Sequence, residues 1–250
     1  MPSVPLVLSG PRPRRDPRAL LIGLLVARES EIADPVPDHP WIGGTSVRAS
    51  SVLAEAESAA LEPGAGRIVR LDVELPEPAP AARAFRIDVP REHLEDAFAL
   101  TLPAPLIVRC TGGDVVEVAQ AVDAAGHHGV VDVTALEDAA PGGAADRAAD
   151  ALSLAAHGAH GVYVIAETAD QVIAALAGVV ASLRGDDVRD ALATPDVAAL
   201  LRLHPDAVEA TRSVLLGVEV PHPAAVIADL ARRVPEWADA GTGRAGGALE

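Results

Sequence analysis

The 250 residues contain no lysine and no asparagine, and all 20 cationic side chains are arginine. Without lysine the chain cannot be a Schiff-base aldolase, a pyridoxal-phosphate enzyme or a Walker-type nucleotide binder, because each needs that amine. The single cysteine, Cys110, excludes a disulfide scaffold and a cysteine-cluster zinc site. No apolar run approaches the roughly 20 residues that a membrane-spanning helix requires. The abundance of Ala, Arg, Gly, Val and Asp matches a GC-rich coding sequence, which by itself converts many surface lysines to arginine.

Half the residues are apolar, so the chain can bury a real core. The formal net charge is −16. A surface this acidic repels phosphate backbones and anionic lipid surfaces, so neither nucleic acid nor membrane is expected as a partner. Arg12, Arg14, Arg15 and Arg18 stand among prolines, with no apolar core and cleavage site in the order a secretory leader needs. The expected location is cytoplasmic.

Residues 1–17 read as a flexible lead-in and 241–250 as a flexible Gly/Ala-rich tail. Ala19 to Ala27 is a short apolar run suited to a buried strand. Residues 31–41, with Pro35, Pro37 and Pro40, read as a loop, and 50–61 as a helix. Residues 67–75 and 85–89 read as strands, 76–82 as a linker between them, and 91–100 as a helix. From Pro105 onward the alternation is regular: strands at 106–110, 129–134 and 161–165, helices at 114–125, 144–157 and 168–183. Asp114 is the expected N-cap of the first of these helices. A last strand falls within 213–220, among proline-punctuated short helices.

Strand and helix in alternation, joined by short loops, predict right-handed parallel βα units. The fold class is α/β, TIM-barrel-like, with six or seven strands forming an incomplete or distorted barrel. Residues 18–185 would form the main βα domain. Residues 186–240 would form a helical C-terminal extension that could complete the barrel.

In a parallel barrel the strand C-terminal ends carry the chemistry. Asp88, Asp114, Asp132, Glu137 and Asp138 fall at or near such ends. Asp132 is the sharpest candidate, because a carboxylate inside the apolar run 130–133 is costly unless paired. Thr111-Gly112-Gly113 follows a strand and opens a helix; it reads as a βα turn, with an anion cradle as the alternative. His127 and His128 read as turn residues. His157 and His160 have an i, i+3 spacing that can bind metal, but Gly158 interrupts their helix, and histidines suit a helix C-terminus anyway. No metal site is assigned.

Four segments resemble dihydropteroate synthase, the pterin-binding TIM barrel of folate biosynthesis, in shortened form. Residues 18–30 are similar to the family's opening strand, and 42–49 to its Gly-Gly-Glu-Ser loop segment. Residues 105–138 are similar to its Ile-Asp-Thr strand, the following helix and the Ile-Asn-Asp strand. Residues 148–176 are similar to its closing segment and helix. The resemblance implies a site at Asp132, Arg48 and Ser46, which keep family positions.

Other family positions are lost. The opening-strand Asn falls on Leu25 or Val26, and the Ile-Asp-Thr Asp on Arg109 or Cys110. The Asn of Ile-Asn-Asp falls on Val131, and the closing Arg and His fall on Tyr163 and Ile165. Only seven residues separate Asp138 from Asp146, where the family carries further βα units and its site lysine.

A synthase pocket must orient pterin and stabilise departing diphosphate. Losing these groups predicts a protein that has lost catalysis and acts by binding or scaffolding a partner: another protein, a second copy of the chain, or a pterin ligand. The alternative is an active pterin-binding transferase with a rebuilt polar set of Asp132, Arg48, Ser46, Arg109 and Glu167, using magnesium. No cofactor is expected on the first reading.

Overall fold

The computed structural model describes residues 16–29, 36–56, 66–138 and 140–238. The expected lead-in and tail fall almost wholly outside these residues. A 3₁₀ turn, Pro17–Leu20, precedes β1 (Leu25–Arg28). β2 (Ile42–Arg48) runs directly into α1 (Ala49–Ala56), followed by β3 (Arg67–Arg70) and β4 (Ala84–Pro90). After a second 3₁₀ turn come α2 (Leu94–Phe98), β5 (Leu106–Thr111), α3 (Val115–Ala124) and β6 (His128–Asp132). Then follow α4 (Ala144–Ala155), β7 (Val162–Ile165) and α5 (Ala169–Arg184). Three helices, α6 (Val188–Ala193), α7 (Val197–Leu201) and α8 (Pro205–Val214), lead to β8 (Leu215–Val220). α9 (Pro223–Arg233) and α10 (Pro235–Ala238) end the described chain.

All eight strands are parallel and form one closed barrel in sequence order, with β8 pairing both β7 and β1. The TIM-barrel-like α/β class is therefore the architecture. The barrel is whole in its strands, and what is irregular is its helical coat. No helix lies between β3 and β4, and α2 has only five residues. The closing strand β8 comes from within residues 186–240.

The eighth strand that the sequence pattern hides is β2. Its segment, Ile42 to Arg48, contains two adjacent glycines and no apolar alternation. The run from Ala19 to Ala27 is strand only from Leu25 onward. Its first half is a turn, because the Asp16 carboxylate accepts from the Arg18 backbone N–H, Pro17 presets the first position, and Gly23 turns the chain with φ +63°. Residues 67–75 are strand only to Arg70, and 91–100 divides into a 3₁₀ turn and a short helix. Helix 50–61 is described only to Ala56. In the regular half the expectations hold closely. Asp114 caps α3 by accepting from the backbone N–H groups of Val116 and Glu117, and Thr168 and Gln171 form a capping box on α5.

The barrel interior has an apolar middle layer of Val26, Ile68, Ala84, Ile107 and Tyr163. Tyr163 fits because its neighbour across the ladder is Gly217; a Cβ there would meet Tyr163 Cε2 at 2.9 Å. Outside the sheet the core divides. One large cluster joins β6, β7, β8 and β1 to α4, α5 and the later helices. A smaller one joins β3, β4 and β5 to α1, α2 and α3. Among the described residues no helix is long and apolar enough to cross a membrane.

Candidate functional site

Alternate strand residues face the same side of a sheet, so the interior layer fixes what stands above it at the C-terminal mouth. Two positions beyond Val26, Ile68, Ala84 and Ile107 come Arg28, Arg70, Arg86 and Arg109. Arg48 is in register with Arg70. Five successive strands, β1 to β5, thus each present an arginine at the same end. The other half of the barrel answers with Asp132 on β6 and Glu219 on β8.

These groups form one alternating chain of charge. Arg28 Nε donates to Glu219 at 2.7 Å. Arg86 Nη1 donates to the other Glu219 oxygen at 2.9 Å. Arg86 also grips Asp88 with two donors, at 2.9 and 3.1 Å. Arg109 reaches Asp88 at 3.5 Å and Asp132 at 2.6 Å. The second Asp132 oxygen accepts from the Thr134 backbone N–H at 3.0 Å and its hydroxyl at 2.6 Å. On the far side of the mouth, Glu29 accepts from the Arg48 backbone N–H at 2.9 Å.

The deepest pair is Arg86 and Glu219, which are 3% and 1% exposed. Burial by itself would raise the Glu219 carboxyl. The Arg86 guanidinium and Arg28 outweigh it and hold the carboxyl below its ordinary value. Asp132 behaves likewise: burial pushes it up, and the Thr134 hydrogen bonds with Arg109 pull it below. Both carboxylates stay ionised, and the network stays charged near neutral pH.

Against this arrangement, Arg70 is distinct. It is half-buried, it makes no ion pair or side-chain hydrogen bond among the described residues, and its Nε is enclosed without a partner. A guanidinium held beside other arginines and left unsatisfied is an anion receptor in waiting.

The sequence candidates divide accordingly. Asp132, Arg109, Ser46 and Arg48 all come to the mouth. Glu167 does not join them. It is exposed after β7, and only its backbone N–H is engaged, with Gln171 at 2.7 Å. Asp88 belongs to the network, while Asp114 is a cap, Glu137 is exposed and Asp138 accepts from the Ala144 backbone N–H ahead of α4. Gly112 and Gly113, both at positive φ, form an exposed βα turn.

The histidines lie at the opposite end. His160 pairs with Asp123, and the two are tied by backbone and ring contacts at 2.8 and 3.2 Å. His157 Nδ1 lies 2.8 Å from the Ser153 carbonyl oxygen. Burial keeps His128 below its ordinary pKa. No group of three or more metal-ligating side chains occurs among the described residues.

Arg28, Arg70, Arg86 and Glu219 escaped the sequence reading. Their signal was present: a charge inside a short, otherwise mostly apolar strand, in Leu25–Arg28, Arg67–Arg70, Ala84–Pro90 and Leu215–Val220.

No protein-family model, no curated protein and no solved structure matches the chain. The four segments that resemble dihydropteroate synthase fall on β1, β2, β5 with β6, and β7. Two whole strands, β3 and β4, separate the second from the third. The segment likened to the family's closing strand is the seventh strand, with β8 after it. The short stretch between Asp138 and Asp146 leaves no gap in the barrel, which has its full eight strands.

Proposed function

We propose that this protein works by binding a small anionic molecule, a carboxylate or phosphate compound, at the C-terminal mouth of its barrel. One observation carries the reading: five consecutive strands converge their arginines there, and Arg70 has no counter-charge of its own among the described residues. The chain is strongly acidic overall, so this local excess of guanidinium is a property of the site and not of the surface. Arginine suits the task because its planar fork matches two oxygens of a carboxylate or phosphate. The ring of ion pairs prepositions Arg86 and Arg109, so little side-chain entropy is lost on binding. The expected binder that no longer catalyses is carried forward in this narrower form.

The test is calorimetric titration of inorganic phosphate and of citrate into the full chain. Saturable binding that weakens with salt is expected, with a loss of roughly tenfold or more in Arg70→Ala. That variant leaves no carboxylate stranded, so the fold should survive. Absence of saturable binding, or binding indifferent to Arg70→Ala, would sink the reading.

A second reading, a pterin-binding transferase related to dihydropteroate synthase, rests on Asp132 standing at the mouth. Both of its oxygens are already engaged by Arg109 and Thr134, which leaves less of it for a pterin ring. Micromolar binding of 6-hydroxymethylpterin diphosphate with magnesium, abolished in Asp132→Ala, would favour this reading over the first.

A further inference from the structure

The mouth is not closed on all sides. β4 and β5 stay paired through six residue pairs, up to Pro90 and Thr111. β6 and β7 stay paired up to Asp132 and Ile165. Between β5 and β6 the ladder holds only at Ile107 with His128 and Val108 with Gly129. Past that point the two strands part, and the Arg109–Asp132 side-chain contact spans the opening instead of backbone hydrogen bonds.

Behind the opening lies a cavity of about 710 Å³ between α3 and α4. This is within the range of small-molecule sites, about 300–1,000 Å³. Arg109 and Asp132 stand at its mouth end. Its walls are mostly apolar, with Val115 and Val118 from α3 and Ala148, Ala151 and Leu154 from α4, and they also carry Gln120 and Arg147. The space exists because α4 presents alanines where larger residues would meet α3, and because β6 contributes Gly129 to its lining. A Cβ at Gly129 would find one neighbour, Val162 Cγ1 at 3.9 Å, and open space otherwise. The far end is polar, with Asp123 and His160, which limits how long an apolar group can extend.

We infer that the ligand is an amphipathic monocarboxylate: its head meets Arg109 at the β5–β6 opening, and its unbranched apolar tail lies between α3 and α4. The inference rests on the anion-binding reading above and adds the class of molecule. Arg109, held between Asp88 and Asp132 with N–H donors to spare, and the largely apolar walls behind it are the two halves of such a ligand's recognition. Guanidinium donors not used by Asp88 and Asp132 remain for the head group. Burying each tail methylene is favourable, so affinity must rise with chain length until the polar end is reached.

The experiment titrates decanoate, butanoate and inorganic phosphate into the full chain and three variants. Decanoate is expected to bind at least roughly tenfold more tightly than butanoate. Gly129→Leu fills the cavity floor and should erase that preference while leaving phosphate binding intact. Ala119→Leu, from the half-buried face of α3, does the same should the first variant fail to fold. Arg109→Gln should weaken both carboxylates. If phosphate binds and decanoate gains nothing over butanoate, the tail site is overturned and the mouth reading stands. A decanoate preference that survives both cavity-filling variants places the tail elsewhere and also overturns the inference. If no anion binds, both readings fall.

Discussion

The two sides of this barrel are built on different principles. From β7 through β8 and onto β1 the strands are almost wholly buried, Val162–Ile165 throughout. They lie under long alanine-rich helices. α5 is buried over most of its sixteen residues, because α4, α6, α7, α8 and α9 surround it. From β3 to β5 the coat thins to a loop, a five-residue helix and α3, and the apolar cluster is correspondingly small. Charge divides the other way. The arginines come from β1 to β5, and the buried carboxylate Glu219 and the half-buried Asp132 come from β8 and β6. The thickly covered side supplies cohesion and the carboxylates Glu219 and Asp132, and the thin side supplies most of the guanidinium groups at the mouth together with Asp88. The seam between the two clusters is where the β5–β6 ladder breaks and the cavity opens.

The comparison is most exposed at Glu219, where the charges of the two sides meet. Glu219→Ala leaves Arg86 buried without one of its two carboxylates and should cost about 3–5 kcal/mol, read from denaturant melts. A cost under about 1 kcal/mol would mean that the mouth network contributes little to cohesion. Next, Leu176→Ala in the middle of α5, fully buried, should cost about 2–5 kcal/mol. A small effect there would break the claim that this side carries the stability.

The third test uses acid. Glu219 and Asp132 are held below their ordinary values in the folded chain, so the unfolded chain binds protons first as pH falls. Their stabilisation is complete above the ordinary carboxylate range, about pH 4–4.5. It is lost as pH drops through the depressed folded values. Asp132→Asn should flatten part of that slope, measured as melting temperature against pH. An unchanged slope would remove Asp132 from the charged network.

The smallest effect is expected at Tyr163. Its hydroxyl is buried in the barrel without a hydrogen-bond partner, so Tyr163→Phe should be neutral or stabilising by up to about 1 kcal/mol. Destabilisation beyond about 2 kcal/mol would show that the hydroxyl is satisfied, by a bound water for instance.

Much of the covered side was legible in the sequence. Its helices at 144–157 and 168–183 and the strand at 161–165 stand out as periodic or apolar runs, and the Asp114 cap announced α3 beside them. The thin side was harder to read. β2 has two glycines and polar residues because its neighbours approach closely: a Cβ on Gly44 would meet the Gly66 carbonyl oxygen at 2.0 Å. No local pattern announces such a strand. For the site, Asp132 stood out because a lone carboxylate in an apolar strand is costly. Arg70 and Arg86 did not, because an arginine in a short strand reads equally well as a solvated edge. Glu167 belonged to the alternative polar set, yet it is exposed after β7 and only its backbone N–H is engaged.

The sequence by itself determined the parallel βα plan, the absence of lysine and disulfide chemistry, and the acidic surface, because composition and periodicity act locally. Closure of the barrel was decided only in three dimensions, since β8 must find β1 across most of the chain. The convergence of five arginines follows from that closure. Strand register, which no single segment encodes, sets which residues share one end of a barrel and therefore which charges must satisfy each other.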